Sequence, residues 1–362
     1  MRILIVSDAW RPQTNGVVTT LSRTQNELEQ AGHSTFVIGP DRFRTLPCPT
    51  YPEISLALNG SSKLPALIEE LQPQAIHIAT EGPLGLAARK WCLRHGHPFT
   101  TSFHTRFPEY IKLRTGLPLG VGYRYLRWFH GASTRTMVAT HSLQRELFSK
   151  RFRNLVLWPR AVDTHLFYPR DKNFLKHSRP LFMYVGRVAV EKNIRAFLRL
   201  QLPGTKIVVG DGPQLDKLSK EYPEVVFTGV QKGKELASHF AAADVLVFPS
   251  RTDTFGLVML EAMACGVPVA AYPVPGPIDV VINGETGYLN EDLAAAALSA
   301  LSLDPHQCRV YAEKFTWPVI TQQFLNNLAP ISYQRDGEDR ETSPTSPPIE
   351  QKSGSHQLKQ HI

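Results

Sequence analysis

Cysteine is scarce and scattered: four in 362 residues, Cys48, Cys92, Cys265 and Cys308, with no CxxC pair. This spacing argues against a disulfide framework or a zinc ribbon and fits reduced thiols in a cytoplasmic protein. No run of 18 residues is continuously apolar, which excludes a bilayer-spanning helix. The opening run MRILIVSDAW is too short for a secretory signal and reads as a strand. HExxH, GxSxG and Walker A patterns are missing as well, so zinc-protease, serine-hydrolase and P-loop chemistries have no carrier. His95 and His97 flank a glycine with no further ligand nearby, and no metal is implied.

What is present is an uneven charge. Residues 1–170 carry 21 Lys/Arg against 11 Asp/Glu, whereas residues 171–362 carry 19 against 21. The basic excess therefore sits in the first half, and such a surface attracts anionic lipid or other phosphate-bearing partners. The length suits two domains.

Both halves alternate short apolar runs with helical periodicity, the rhythm of α/β domains with parallel sheets. In the first half the pattern predicts strands over 3–7, 36–38, 75–78 and 99–103, and helices over 17–31 and 84–95. In the second it predicts strands over 181–186, 206–209, 225–227, 245–248 and 267–271, and a last helix over 317–328. A polar, aperiodic stretch near 169–180 marks the join. The expected organisation is 1–170, 171–330 and a disordered tail, 331–362, rich in Ser, Pro, Glu and Lys. The last helix is expected to pack back on the first domain.

Ligands of open parallel sheets bind beyond the carboxyl ends of the strands, so loops leaving strands are the places to look. The stretch DVLVFPSRTDTFGLVMLEAMACGVPVA, from Asp244, reads as strand, polar loop with Asp253, Phe255-Gly256, then a helix from Leu257 carrying Glu261. Gly256 lets a ligand approach the helix N-terminus, where free N–H groups and the helix dipole make an anion site. A carboxylate before that site and another within the helix suit a ligand with both phosphate and hydroxyls, as in a nucleotide sugar. Treating the two carboxylates as a hydrolase pair is less favourable. If both were helical, eight residues would separate them by about 12 Å of rise, beyond the roughly 5–9.5 Å that glycosidases use.

Four other loops carry chemistry. The segment DAWRPQTNG (8–16) is long for a strand-to-helix connection and places Gly16 at a helix start. SFHT (102–105) sets His104 after a strand, followed by Arg106. Arg187 and Lys192 follow the first strand of the second half, placed to bracket a diphosphate. Gly210 opens a GDGP turn that is half a dinucleotide fingerprint, with neither the third glycine nor the acidic partner of a nicotinamide site; it is expected to let a ligand lie close to the backbone. Separately, KLRTGLPLGVGYRYLRWFH (112–130) interleaves Lys112, Arg114, Arg124 and Arg127 with aromatic residues including Trp128. That composition suits a peripheral membrane contact; the alternative is a core helix with snorkelling arginines.

Taken in order, these motifs resemble retaining glycosyltransferases of family 4. The family's Glu-x7-Glu motif stands here as Asp253-x7-Glu261, Asp replacing the first Glu. The resemblance extends over about residues 1–330. The segments ATEGPLGLAAR (79–89), TSFHTRFPEY (101–110), YLRWFH (125–130) and AVDTHLFYP (161–169) resemble the branch of lipid mannosyltransferases and sulfoquinovosyl-diacylglycerol synthase.

The resemblance implies a GT-B fold, two Rossmann-like doubly wound domains facing a cleft, with the acceptor on the first and the nucleotide sugar on the second. It implies GDP-mannose or a UDP-hexose as co-substrate, mannose being favoured, with no cofactor and no nucleic-acid partner. The acceptor would be a lipid or lipid-linked glycan, reached by peripheral contact with an anionic membrane, at the inner face. By matching position, Arg187 and Lys192 would hold the diphosphate and Glu261 the ribose. Asp253 and the amides of Phe255, Gly256 and Leu257 would face sugar and phosphate. Gly16 would approach the diphosphate, and His104 would contact the sugar. Arg106, Lys112, Arg114, Arg124, Arg127 and Trp128 would form the acceptor and membrane side. The Asp253 replacement leaves a second reading, a nucleotide-sugar-binding protein with impaired catalysis.

Overall fold

The computed structural model describes residues 1–331 apart from Thr14, Pro49 and Thr50, and only the backbone of residues 48, 51–54, 113 and 114. The tail expected over 331–362 falls outside the described residues, except for Ile331.

In the first half the strands are β1 (Arg2–Val6), β2 (Ser34–Ile38), β3 (Thr45–Cys48), β4 (Tyr51–Ala57), β5 (Ala75–Ile78), β6 (Thr100–Phe103), β7 (Arg135–Val138) and β8 (Leu155–Leu157). In the second they are β9 (Leu181–Val185), β10 (Thr205–Val209), β11 (Val226–Gly229), β12 (Val245–Phe248), β13 (Val269–Ala271) and β14 (Gly287–Leu289). They form two six-stranded sheets, β2-β1-β5-β6-β7-β8 and β11-β10-β9-β12-β13-β14, whose paired strands run parallel. β3 and β4 make a separate antiparallel hairpin.

The reason for parallel sheets lies in the strands. Ile3, Leu4, Ile5 and Val6 are each fully buried, as are Val245 and Val247. A strand apolar at successive residues needs cover on both faces, which crossover helices supply. Both sheets reverse direction of winding next to their first strand, β1 beside β5 and β9 beside β12. These are the switch points at which open sheets bind ligands.

Local chemistry moved several boundaries. The first helix begins at Gly16 because Asn15 caps it, its side chain accepting from the amides of Val17 and Val18. The next predicted helix starts at Pro83, a residue suited to a first turn. β13 starts two residues late, after Gly266 in a left-handed conformation and Pro268.

The helix Trp317–Asn327 returns to the first sheet. Trp317, Ile320 and Phe324 pack in one cluster with Ile3, Ile5, Leu21 and Trp158, and the Ile331 amide donates to the Gln74 carbonyl at 2.8 Å. The chain thus passes between the sheets twice, and the two passages touch: the Val162 amide donates to the Phe315 carbonyl at 3.1 Å.

Candidate active site

The loop after β12 leads into the helix Leu257–Ala264. Gly256 is its N-cap with φ 86°, and a Cβ there would stand 2.8 Å from Met259 Cε and 2.9 Å from Phe248 Cζ. Only glycine accepts both the positive φ and the crowding. No side chain caps the helix, so its first amides and the positive end of its dipole are left for an anion. The Phe255 side chain is 5 % exposed and belongs to the core beneath; only its backbone is offered to a ligand. Leu257 opens the helix, and Glu261 lies one turn further. Burial with no compensating cation pushes the Glu261 carboxyl up to about 7.

Lys192 reaches this loop from the turn after β9. Two hydrogen bonds join the turn to the loop after β12: Asn193 Nδ2 donates to Pro249 O at 3.1 Å, and Thr252 Oγ1 donates to Glu191 O at 3.0 Å. The Lys192 ammonium pairs with Asp253 Oδ1. Burial works against that charge, but Asp253, with Tyr110 and Tyr184 beside it, keeps the ammonium above the ordinary lysine range. Asp253 Oδ2 is buried and has no partner. Arg187 stands 3.9 Å from the buried carboxylate of Glu191 on the same turn. Tyr110, from the first half, closes this side. Burial raises its phenol, with Lys192, Asp253 and Glu191 all acting on it.

His104 faces this loop from the end of β6. Thr254 Oγ1 donates to the His104 carbonyl at 2.8 Å, bridging the two halves. The ring Nδ1 receives Arg160 Nη2 at 3.0 Å, while Nε2 is buried without a partner. Burial first, then Arg160, His77 and His130, hold the imidazole well below the ordinary histidine range, so it is neutral near pH 7. Asp279 also crosses between the halves, accepting from the Ser142 amide at 2.9 Å and from the Ser142 hydroxyl.

The structure therefore brings His104, Asp253, Lys192, Arg187 and the Gly256–Leu257 turn together. Gly16 faces them: a Cβ there would lie 3.6 Å from Leu257 Cδ1. Gly210 has a different reason for being glycine. A Cβ there would stand 1.9 Å from the Gly186 carbonyl oxygen, so the neighbouring backbone alone requires a glycine. Sequence reasoning passed over Arg160 and Thr254. Arg160, shortly after the buried Trp158 and the half-buried Pro159, was the one with a signal: a cation where the pattern is apolar.

The basic face resolves residue by residue. Arg106 is 6 % exposed and its guanidinium is taken by Glu146, at 2.6 and 2.9 Å; it is not part of an accessible cationic surface. The Arg114 side chain lies outside the described residues. Lys112 and Arg124 are exposed, and Arg127 is half-buried, donating to Lys150 O at 3.3 Å. The helix Leu119–His130 is two-faced: Tyr123, Leu126 and Phe129 are buried, whereas Val121, Arg124, Tyr125 and Trp128 face out. Trp128, 53 % exposed, stacks under the Arg89 guanidinium at 3.9 Å. It lines a shallow hollow with Lys90, Leu93 and Arg94. Among the described residues no helix is long and apolar enough to cross a membrane, and no three His, Cys, Asp or Glu residues gather to hold a metal.

Comparison with known proteins bears on this site. A family model described as Glycosyltransferase Family 4 matches residues 14–166, and one described as Glycosyl transferases group 1 matches residues 179–303. The chain is 28 % identical, over 92 % of its length and 99 % of the relative, to a GDP-mannose-dependent alpha-mannosyltransferase of Mycolicibacterium smegmatis. It is 27 % identical, over 84 % of its length and 79 % of the relative, to an alpha-monoglucosyldiacylglycerol synthase of Streptococcus pneumoniae. Among solved structures it is similar in fold to a sucrose-phosphate synthase of Thermosynechococcus elongatus. There the TM-score is 0.71 at 22 % identity, covering 90 % of this chain and 97 % of that one.

Proposed function

Because the chain belongs to glycosyltransferase family 4 and has the GT-B fold, we propose that it transfers a hexose, mannose in preference, from a nucleotide diphosphate sugar to a lipid or lipid-linked glycan, with retention. The observation that carries this reading is a pair of buried polar atoms without partners on opposite sides of the cleft: the acceptor Asp253 Oδ2 and the donor His104 Nε2. Buried polar atoms are ordinarily hydrogen-bonded, and a sugar, whose hydroxyls both donate and accept, satisfies both kinds. Names of relatives carrying GDP-mannose and diacylglycerol support the donor and the acceptor class.

The chemistry follows from charge. The anomeric C–O bond breaks with its electron pair going to the departing phosphate oxygen. Lys192, Arg187 and the amides at the start of Leu257–Ala264 take up the developing negative charge; preorganised groups of this kind supply much of an enzyme's acceleration. The acceptor hydroxyl attacks on the same face, forms the new C–O bond and passes its proton to the departing phosphate oxygen. Glu261 receives the ribose hydroxyls. Asp253 has two tasks, holding Lys192 with one oxygen and the sugar with the other, and the shorter side chain brings it into direct contact with the ammonium. The exposed face with Trp128, Tyr125, Arg124 and Lys112 is the side that rests on an anionic membrane, aromatic residues at the interface and cations toward the headgroups.

The test is release of nucleotide diphosphate from GDP-mannose, UDP-glucose, UDP-galactose, UDP-N-acetylglucosamine and UDP-sulfoquinovose, with and without a membrane lipid extract. Release from one donor that depends on the extract is expected. Binding of a donor with no release, whatever the extract, would sink the transferase reading.

A further inference from the structure

Arg160 is a buried cation without an anion. It is 4 % exposed, and no carboxylate lies within ion-pair distance of it among the described residues. Its Nη1 donates to the carbonyls of Trp158 and Pro159, at 2.5 and 3.0 Å, and its guanidinium lies 4.6 Å over the Trp158 ring. Its remaining contact is His104 Nδ1, at 3.0 Å. We propose that Arg160 is a positioning residue that holds His104 as the neutral tautomer with its proton on Nε2, so that the ring meets the donor sugar only as a hydrogen-bond donor. This role rests on the reading of the cleft as a nucleotide-sugar site.

The argument is one of valence. A guanidinium has N–H donors and no acceptor. Nδ1 beside it must accept, and therefore carries no proton. The neutral ring then has its single proton on Nε2, the atom that is buried and unpartnered. The ring plane is fixed edge-on to Trp158, with centroids 5.8 Å apart, and the backbone of His104 is held by Thr254. The ionisable groups acting on His104 are Arg160, His77 and His130. His77 lies between Thr100 and Ser102, and His130 between Thr101 and Glu81. Arg160 is the one of the three that contacts the His104 ring. Without it, burial still holds the ring below the ordinary histidine range, but nothing obliges Nδ1 to accept, and the neutral ring is free to exchange tautomers.

The experiment is nitrogen NMR of the full chain with labelled histidine, His104 being assigned through His104→Gln, recorded from pH 5.5 to 8.5. The nucleotide-free chain is expected to show His104 neutral throughout, with the proton on Nε2. Arg160→Met should populate both tautomers while burial keeps the ring neutral. Its donor KM should rise by up to about tenfold over the parent's, a hydrogen bond's worth, with kcat changing less. Arg160→Lys, which can only donate, should restore the tautomer and the parent's KM. Should Arg160→Met fail to fold, Arg160→Gln replaces it, since an amide both donates and accepts and enforces neither tautomer. A proton on Nδ1 in the unaltered chain overturns the proposal. So does an Arg160→Met or Arg160→Gln chain whose tautomer and donor KM match the parent's. The tautomer is read without substrate. A chain with His104 wired as described that turns over no nucleotide sugar would refute the proposed function, and this role with it, while leaving the hydrogen-bond geometry established.

Discussion

The two sheets wind alike about β1 and β9, yet their functional cations are handled in opposite ways. On the second sheet Lys192 is paired with Asp253 and Arg187 stands beside Glu191. On the first, Arg160 is buried among carbonyls and a histidine ring. The difference fits the roles proposed for each. A cation that receives a diphosphate has to be stable while the cleft is empty, so a resident carboxylate holds it ready. A cation that sets a hydrogen-bond direction keeps its partner through the whole cycle and needs no counter-ion, provided that its donors are satisfied. The second side stores charge, and the first side stores orientation.

The largest effect expected from disturbing this contrast is at Lys192. Lys192→Ala removes the compact charge proposed to face the leaving group and leaves the half-buried Asp253 without its cation. Turnover should fall by about 100- to 1,000-fold, the scale for losing one group that stabilises developing charge. Steady-state kinetics, with circular dichroism confirming the fold, checks it; a loss below threefold would mean that Lys192 does not face the diphosphate.

A smaller effect concerns Glu261. Burial raises its carboxyl to about 7, so the folded chain keeps a proton that the unfolded chain has already lost above the ordinary carboxylate range. Its contribution to stability is therefore fully present at low pH and declines as pH rises toward 7 and beyond. On the proposed function, ribose hydroxyls donate to the ionised form, so donor affinity should move the other way. It should increase by up to about tenfold from pH 6 to pH 8, with proton release visible by calorimetry in buffers of different ionisation enthalpy. Glu261→Gln should flatten that dependence and raise the denaturant midpoint at pH 8. A pH-independent affinity in the parent chain would place the ribose elsewhere.

The smallest effect belongs to the outer face. Replacing Arg124 with Ala and Trp128 with Ser together should weaken co-sedimentation with phosphatidylserine-containing vesicles by about tenfold, roughly 1 kcal/mol per cation near an anionic surface, and leave turnover on a soluble acceptor unchanged. Binding that is indifferent to lipid charge would remove the membrane role from this helix.

These contrasts were unequally visible in the sequence. β1, β5 and β12 announced themselves because strands buried on both faces are apolar at successive positions. β7, β8 and β14 did not: β7 opens on Arg135-Thr136 and β14 on Gly287, so neither shows an apolar run, and Leu155–Leu157 is only half-buried. The donor side was legible because its groups follow one another along two loops, Lys192 on one and Asp253, Gly256 and Glu261 on the other. The Arg160–His104 contact was not. Its partners are 56 residues apart, and they meet because β7 is the single strand between β6 and β8 in the sheet. Gly210 has a packing reason to be glycine that the sequence does not show, the Gly186 carbonyl standing where a Cβ would be. Arg106 was read by its charge alone, and Glu146 had already claimed it.

The double passage of the chain between the sheets has a mechanical consequence. One covalent link would let the halves swivel as well as open. Two links held to each other by the Val162–Phe315 hydrogen bond behave as a strap hinge, which bends about one line and resists torsion. Any opening about that line would return His104 to the same lateral register against Thr254. On the proposed function, a sugar held between the two sides would then meet its acceptor along a repeatable path, with alignment inherited from the linkers.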